Sequence, residues 1–448
     1  MPTGSNATTQ IIAMGRNVLM HSRCQQAVGQ GGFHTAKLIS TEDPAIVVRS
    51  HTGIRVEGAS SFRYVYDCGS RQVGKCRSVV RSFASSVRER RIDILFLSHF
   101  DEDHVNGVPH LLDPVDGIKA DTVVLPWVDD VERLIAFGRA ASRGREVGGF
   151  FRSFVVDPVA ALDVFGPRRI LLVRHGSGEP DDGDVIDLRP DGRDPDGPFG
   201  AKVIRDGVRR VAPANPESIS GVSAAVYVIF DDMVVDVSAG VGSWVFKPYV
   251  RACEQARVAN FEREVERLLA WPWGSFPSKI SDPAIRHQLV WSKTSTKALA
   301  AAYRSAFGDR NLTSLCVYSG PRWDGSPRKL LLFDLTKFDV ASKIGWLATG
   351  DIPLKDPAEA MDLLAHYKEQ EASVATFGLP HHGSVKNYSS AVVATLRPQT
   401  CFVSAKPPRN WNHPHPSVMA DVANQGAIGI HVDDTEASAF SETFLLVH

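Results

Sequence analysis

The chain of 448 residues has room for two or three domains or one decorated fold, and at 43% hydrophobic and 23% charged it has the composition of a globular protein. Its formal charge of −1 argues against the basic surface that tight, sequence-independent nucleic-acid binding needs, and leaves room for a local basic patch. The six cysteines, Cys24, Cys68, Cys76, Cys253, Cys316 and Cys401, form no C-x-x-C pair, the N-terminal stretch lacks a signal-peptide pattern and no apolar run approaches roughly 18 residues, so a cytoplasmic protein with reduced thiols and no membrane span is expected.

In chain order, Val28-Gly29-Gln30-Gly31-Gly32-Phe33-His34 predicts a glycine-rich hairpin turn before a strand over Thr35–Ser40. No Gly-Lys-Ser/Thr follows and no dinucleotide fingerprint fits, so a phosphate-cradling loop is disfavoured. Phe62–Tyr66 alternates as a strand and ends in Asp67-Cys68-Gly69, and Ser78–Arg91 has apolar residues at helical spacing among surface arginines. Ile92–Leu97 is a short run of β-formers and predicts a buried strand. Directly after it comes Ser98-His99-Phe100-Asp101-Glu102-Asp103-His104, with four candidate metal ligands inside six residues, before a helix announced by Asn106-Gly107-Val108-Pro109. A solvated turn needs polar residues but not two imidazoles bracketing two carboxylates. A strand-to-helix loop lets His99 and Asp101 face one point and Asp103 and His104 a second one nearby.

Thr122–Pro126 predicts another strand, after which residues 128–310 predict a large α+β insertion capping the active-site edge. Within it, Gly176–Gly200 holds eight acidic residues, six glycines and four prolines, the composition of a mobile loop, and its Asp spacing does not match an EF-hand. Ala224–Phe230 and Met233–Val237 predict a hairpin across Asp231-Asp232; Arg251–Ala270 and Ser292–Phe307 predict helices; His175 and His287 stand alone and predict structural roles. From Asn311 on, Leu315–Tyr318 and Leu330–Phe333 predict paired strands. Ile344–Thr349 predicts a strand ending in Gly350-Asp351. A helix over Ala358–Lys368 and a strand over Ala372–Phe377 lead to Leu379-Pro380-His381-His382-Gly383-Ser384. Neighbouring imidazoles diverge from extended backbone, so one of the pair, preferably His382, ligates while the other faces substrate. Thr400–Ser404 predicts a last strand before Asn412-His413-Pro414-His415-Pro416-Ser417-Val418.

With these motifs the chain resembles the metallo-β-lactamase-fold hydrolase superfamily over residues 27–127 and 311–448. His99-x-Asp101-x-Asp103-His104 stands where that superfamily has H-x-H-x-D-H, with Asp101 at the place of its second histidine. V-G-Q-G at Val28, L-P-H-H-G-S at Leu379 and N-H-P-H-P-S at Asn412 are similar to the competence DNA-uptake (ComEC-like) branch. The resemblance implies a four-layer αββα sandwich (an α+β fold) whose halves, residues 1–127 and 311–448, flank the insertion. It implies metal ligands His99, Asp101, Asp103, His104, Asp351 and His382, with Asp351 bridging and Asp67 supporting the ligand loop. Asn311-Leu312-Thr313-Ser314 lies where the superfamily supplies another histidine, so the site built on His99 and Asp101 is expected to be the weaker of two, and its carboxylate moves preference from zinc toward manganese. The expected function is metal-dependent hydrolysis by activated water, with Asp103, His381 and His413 as catalytic residues, one or two zinc or manganese ions, and a phosphate-containing substrate such as DNA or RNA. The alternatives are hydrolysis of a small ester, lactone or β-lactam, and a non-catalytic sensor or partner-binding role.

Overall fold

A computed structural model describes residues 10–13, 18–41, 46–50, 53–56, 60–144, 146–176, 186–189, 199–205, 221–239, 242–251, 255–308, 313–322, 329–334, 337–340, 343–406 and 412–447. Among the described residues the strands form one sheet of ten strands, one of nine and one of three. The ten-stranded sheet runs Ala225–Phe230, Arg169–Arg174, Lys119–Pro126, Arg91–Phe96, Ser60–Ser70, Gly31–Thr41, Val18–Gln25, Phe440–Val447, Lys329–Asp334 and Lys337–Val340 from edge to edge. Its first five strands are mutually parallel, and the pairings beyond them are antiparallel. The nine-stranded sheet runs Ile186–Asp187, Phe199–Arg205, Met233–Ala239, Ser243–Val250, Leu315–Pro321, Gly345–Ala348, Val374–Gly378, Thr400–Ser404 and Ile428–Val432. It is antiparallel as far as Gly345–Ala348 and parallel from there on.

The period of two along a strand sends alternate side chains to opposite faces. In Ser60–Ser70, Phe62, Tyr64 and Tyr66 enter a cluster shared with Trp244, Phe246, Val317 and Trp346 of the other sheet, while Val65 points the other way. The two sheets therefore pack face to face through large side chains, each contributing about 1.5–3 kcal/mol on full burial. The outer face of the ten-stranded sheet is covered by helices such as Val73–Ser86, whose Cys76, Val80 and Ala84 recur at helical spacing. Helices Pro357–His366, Ser390–Leu396 and Pro416–Asn424 cover the other sheet through Leu363, Val392 and Val422. The result is an α+β arrangement of two packed mixed sheets with helices outside both. No helix among the described residues is long and apolar enough to cross a membrane.

Several local expectations are corrected. Ala225–Phe230 and Met233–Ala239 are not a hairpin: the first pairs in parallel with Arg169–Arg174 in the ten-stranded sheet, and the second lies between Phe199–Arg205 and Ser243–Val250 in the nine-stranded one. The crossing is fixed by buried Asp231, whose carboxylate accepts from the backbone N–H groups of Gly176 (2.9 Å) and Val250 (3.1 Å) and contacts the His175 ring at 3.1 Å. Leu315–Pro321 and Lys329–Asp334 likewise belong to different sheets. Residues 128–310 do not stand apart from the core, because their strands extend both sheets. Of the acidic segment, residues 177–185 and 190–198 lie outside the described residues, as do Asn311 and Leu312. The Arg-rich helix occupies Val73–Ser86 rather than Ser78–Arg91, since Val87 is already extended and Arg90 turns the chain with a φ of 50°.

Between the sheets His34 stacks on Trp346, ring centroids 4.1 Å apart, and neither ring nitrogen has a hydrogen-bond partner among the described residues. Burial, and secondly the nearby Arg23 charge, hold its pKa well below 6.5. Below about pH 6.5 the unfolded chain takes up a proton that the folded ring refuses, so stability falls as pH falls, by up to about 1.4 kcal/mol per pH unit. His34→Phe keeps the stack and removes both nitrogens. The expected outcome is a Tm at pH 7 no lower than wild type and a shallower decline from pH 7 to 5, measured by thermal unfolding; a lower Tm with an unchanged slope contradicts it.

Candidate metal centre

The candidate residues gather where parallel strands end at their C-terminal side, the usual location of sites in such sheets. Arg91–Phe96 of one sheet delivers His99, Asp101, Asp103 and His104; Gly345–Ala348 and Val374–Gly378 of the other deliver Asp351 and the pair His381 and His382. The two rims are tied together by the Leu315 N–H, which donates to the Ser98 carbonyl (2.6 Å), and by the Tyr66 hydroxyl, which donates to the Leu315 carbonyl (2.7 Å). Asp103 and His104 lie on the short helix Glu102–Val105 rather than in open loop. The glycine of Asp67-Cys68-Gly69 explains how that helix seats, since a Cβ at Gly69 would lie 2.6 Å from the backbone of His104 and Val105.

Asp67 organises the rest. One carboxylate oxygen accepts from the Ser98 backbone N–H (2.7 Å), and the other accepts from the Ser98 hydroxyl (2.7 Å) and from His104 Nδ1 (2.8 Å). Because the Ser98 hydroxyl is donated to Asp67, its oxygen accepts from His99 Nδ1 at 2.7 Å. Both imidazoles thus carry their proton on Nδ1 and turn Nε2 inward, and neither Nε2 has a hydrogen-bond partner among the described residues. His382 repeats the pattern by donating Nδ1 to the Ser404 carbonyl (2.8 Å), and His381 by pairing Nδ1 with Asn387 Oδ1 (2.9 Å). Anchored Nδ1 atoms with inward Nε2 atoms are the arrangement of metal-ligating histidines.

Two groups of donor atoms come within ligand range among the described residues: His99, His104 and Asp351, and Asp103, His104 and His382, all buried. The separations are 3.5 Å for His99 Nε2 to Asp351, 3.8 Å for His104 Nε2 to Asp351 and 3.9 Å for His382 Nε2 to Asp103. These are at or beyond the limit of a hydrogen bond, yet within twice the ~2.1 Å of a metal–ligand bond. The donor set fits a divalent cation. Charge is concentrated here as well. Burial works to lower the His99 pKa, but Asp351 and Asp101 overcome it and raise it to about 10, so without a cation the ring holds a second proton on Nε2 that a bound cation would displace. Burial lowers His382 to about 3 against the opposing carboxylates. Burial works to raise Asp351, yet His381 and His99 hold it well below the usual carboxylate range.

Five of the six predicted ligands enter these groups, and His382 is the one of its pair that does so. His381, equally buried, enters neither group, with Nε2 3.8 Å from Asp351 and 3.5 Å from the Arg139 guanidinium. Asp101 enters neither group: its carboxylate is held by Arg139, with Arg143 at 3.8 Å and His99 Nε2 at 3.7 Å. His413 lies farther out, half-buried and stacked on His381 with ring centroids 5.8 Å apart. Ser98, Asn387 and three arginines also belong to the site and were not among the expected residues. Arg71 donates to Asp103 at 3.1 Å, and Arg139 and Arg143 come from the end of helix Asp130–Ser142. Ser98 and Asn387 adjoin the motifs and could have been suspected as supports; Arg139 carries no motif.

Asp67→Asn should leave the sheets intact and weaken divalent-cation affinity by about 10–100-fold, because an amide keeps one acceptor oxygen where the carboxylate uses two, and its NH2 group must then face either the Ser98 N–H or His104 Nδ1. Competition titration against a chromophoric chelator checks this, and unchanged affinity contradicts it. Compared with known proteins, the chain matches no family model, and no curated protein matches it in sequence.

Proposed function

We propose that the chain is a metal-dependent hydrolase with the metallo-β-lactamase sandwich, acting in the cytoplasm on a phosphodiester. The observation that carries this is the convergence of His99, Asp103, His104, Asp351 and His382 from distant strand ends, with the inward nitrogens of His99 and His104 left for a ligand. Asp103, His104, Asp351 and His382 would hold zinc or manganese, which supplies Lewis acidity and a nucleophilic water near neutral pH. Asp103 also orients what enters, being bonded to Arg71 on its outer side. His381 is kept below the usual imidazole range by burial and so presents a neutral Nε2 that can take a proton. His413, stacked outside it, is placed to donate to a leaving alkoxide or a phosphoryl oxygen. Arg71, Arg139 and Arg143 around the pocket favour an anionic substrate, since guanidinium binds phosphoryl oxygens in paired hydrogen bonds.

Purified protein assayed with manganese and with zinc against bis-p-nitrophenyl phosphate, single-stranded and duplex DNA, a lactone and nitrocefin tests the reading. Phosphodiester cleavage is expected to exceed lactone and lactam hydrolysis. His104→Ala should abolish it, and His413→Ala should lower turnover by about 10²–10⁴-fold with bound metal unchanged. Lactone or lactam turnover outrunning every phosphodiester would replace this reading with the small-substrate hydrolase. Absence of all turnover in a metal-loaded protein would favour a sensor or partner-binding role.

A further inference from the structure

The two donor groups share His104, whose Nδ1 is bonded to Asp67. An imidazole in that state has one lone pair, on Nε2, so it ligates one cation and not two. The remaining part of the pocket, bounded by His99, Asp101 and Asp351, already receives a positive group. The Arg139 guanidinium binds Asp101 and lies 4.0 Å from Asp351 Oδ2 and 3.5 Å from His381 Nε2, with its side chain 4% exposed. Arginine does not give up its proton under protein conditions, so this charge is permanent.

Its position is built in. Helix Asp130–Ser142 starts with a capping box between Asp129 and Glu132, and it is pinned beside its first turn by Arg286, which binds Asp130 at 2.8 Å. One residue before Arg139, Gly138 faces helix Lys293–Ala306 so closely that a Cβ would lie 2.7 Å from the Leu299 carbonyl oxygen. That approach fixes the depth at which the helix packs and so the place of Arg139. Arg143 follows four residues later on the same side and reaches Asp101 and Asp103 at 3.8 Å.

On the metal-binding reading above, we propose that the chain holds a single divalent cation at Asp103, His104 and His382, and that the Arg139 guanidinium, beside Asp351, takes the position a second cation would need. Asp101 then serves to hold Arg139 rather than to ligate metal. The permanent charge faces the pocket beside the cation, where it binds an oxygen of an anionic substrate.

Titration of metal-free wild type with Mn²⁺, followed by elemental analysis and electron paramagnetic resonance, tests this without recourse to activity. The expected result is one equivalent per chain with the six-line spectrum of an isolated ion. Arg139→Met should admit a second equivalent and give the broadened spectrum of a coupled pair, whereas Arg139→Lys, which keeps the charge, should remain at one. Two coupled ions in wild type would overturn the inference and leave the hydrolase reading standing. No bound ion would overturn both. A folded Arg139→Met that stays at one equivalent would also overturn it, by showing that something other than this charge excludes the second ion. Should Arg139→Met fail to fold, the wild-type stoichiometry and spectrum decide.

Discussion

The Asp67 carboxylate is the constraint on which the centre depends. It sits at the end of Ser60–Ser70 with a φ of 59°, a conformation a non-glycine residue adopts at some cost, and from there it accepts three hydrogen bonds from Ser98 and His104. Hydrogen bonds to a charged acceptor contribute about 1.5–3 kcal/mol each, enough together to offset a left-handed backbone costing roughly 1–3 kcal/mol. Through Ser98 the same carboxylate fixes the tautomer of His99, which it does not touch. One buried acid thereby decides which nitrogen of two imidazoles faces the pocket.

The opposite rim stores strain of the same kind. His381 and His382 are consecutive residues with φ of 47° and 56°. The turn is held by the His381 N–H donating to the Gly350 carbonyl, by Asn387, which receives His381 Nδ1 and donates to the Asp351 carbonyl, and by His382 donating to Ser404. Asn387 thus links the Asp351 loop to the histidine turn. A pair of histidines in this conformation aims its two rings apart, with an interplanar angle of 66°. The divergence expected of the pair is present, though it comes from two left-handed residues and not from extended backbone.

What was legible in the sequence was local. Short β-rich runs ending in His, Asp and Gly located the strand ends and five residues of the donor groups, because ligand chemistry restricts residue type and a strand end restricts position. Pairing between sheets was not legible. Ala225–Phe230 and Met233–Ala239 are adjacent, alternate alike and are separated by two aspartates, which is the signature of a hairpin. Only the tertiary contacts of Asp231 send them into different sheets. Arg139 was illegible for a related reason: it is an ordinary helical arginine until Gly138 and Leu299 set the depth at which its helix packs.

The segment between the two motif-bearing halves therefore supplies charge to the candidate site. A lid would change access and leave the charge of the site alone, whereas Arg139 and Arg143 change the charge itself. Asp101, Asp103 and Asp351 face Arg71, Arg139 and Arg143 across distances of 4.0 Å or less. A unit charge and a divalent cation 4 Å apart repel by on the order of 8 kcal/mol at an effective dielectric of about 20, so a guanidinium beside Asp101 and Asp351 weighs heavily against a second ion there. The carboxylate at position 101 is what makes this arrangement possible. An imidazole in its place would leave Arg139 with only the more distant Asp351 carboxylate, 4.0 Å away, and the buried guanidinium would then carry a larger uncompensated desolvation cost. Asp101 and Arg139 are thus best understood as one unit, in which the buried carboxylate after Arg91–Phe96 and the arginine from the middle segment depend on each other.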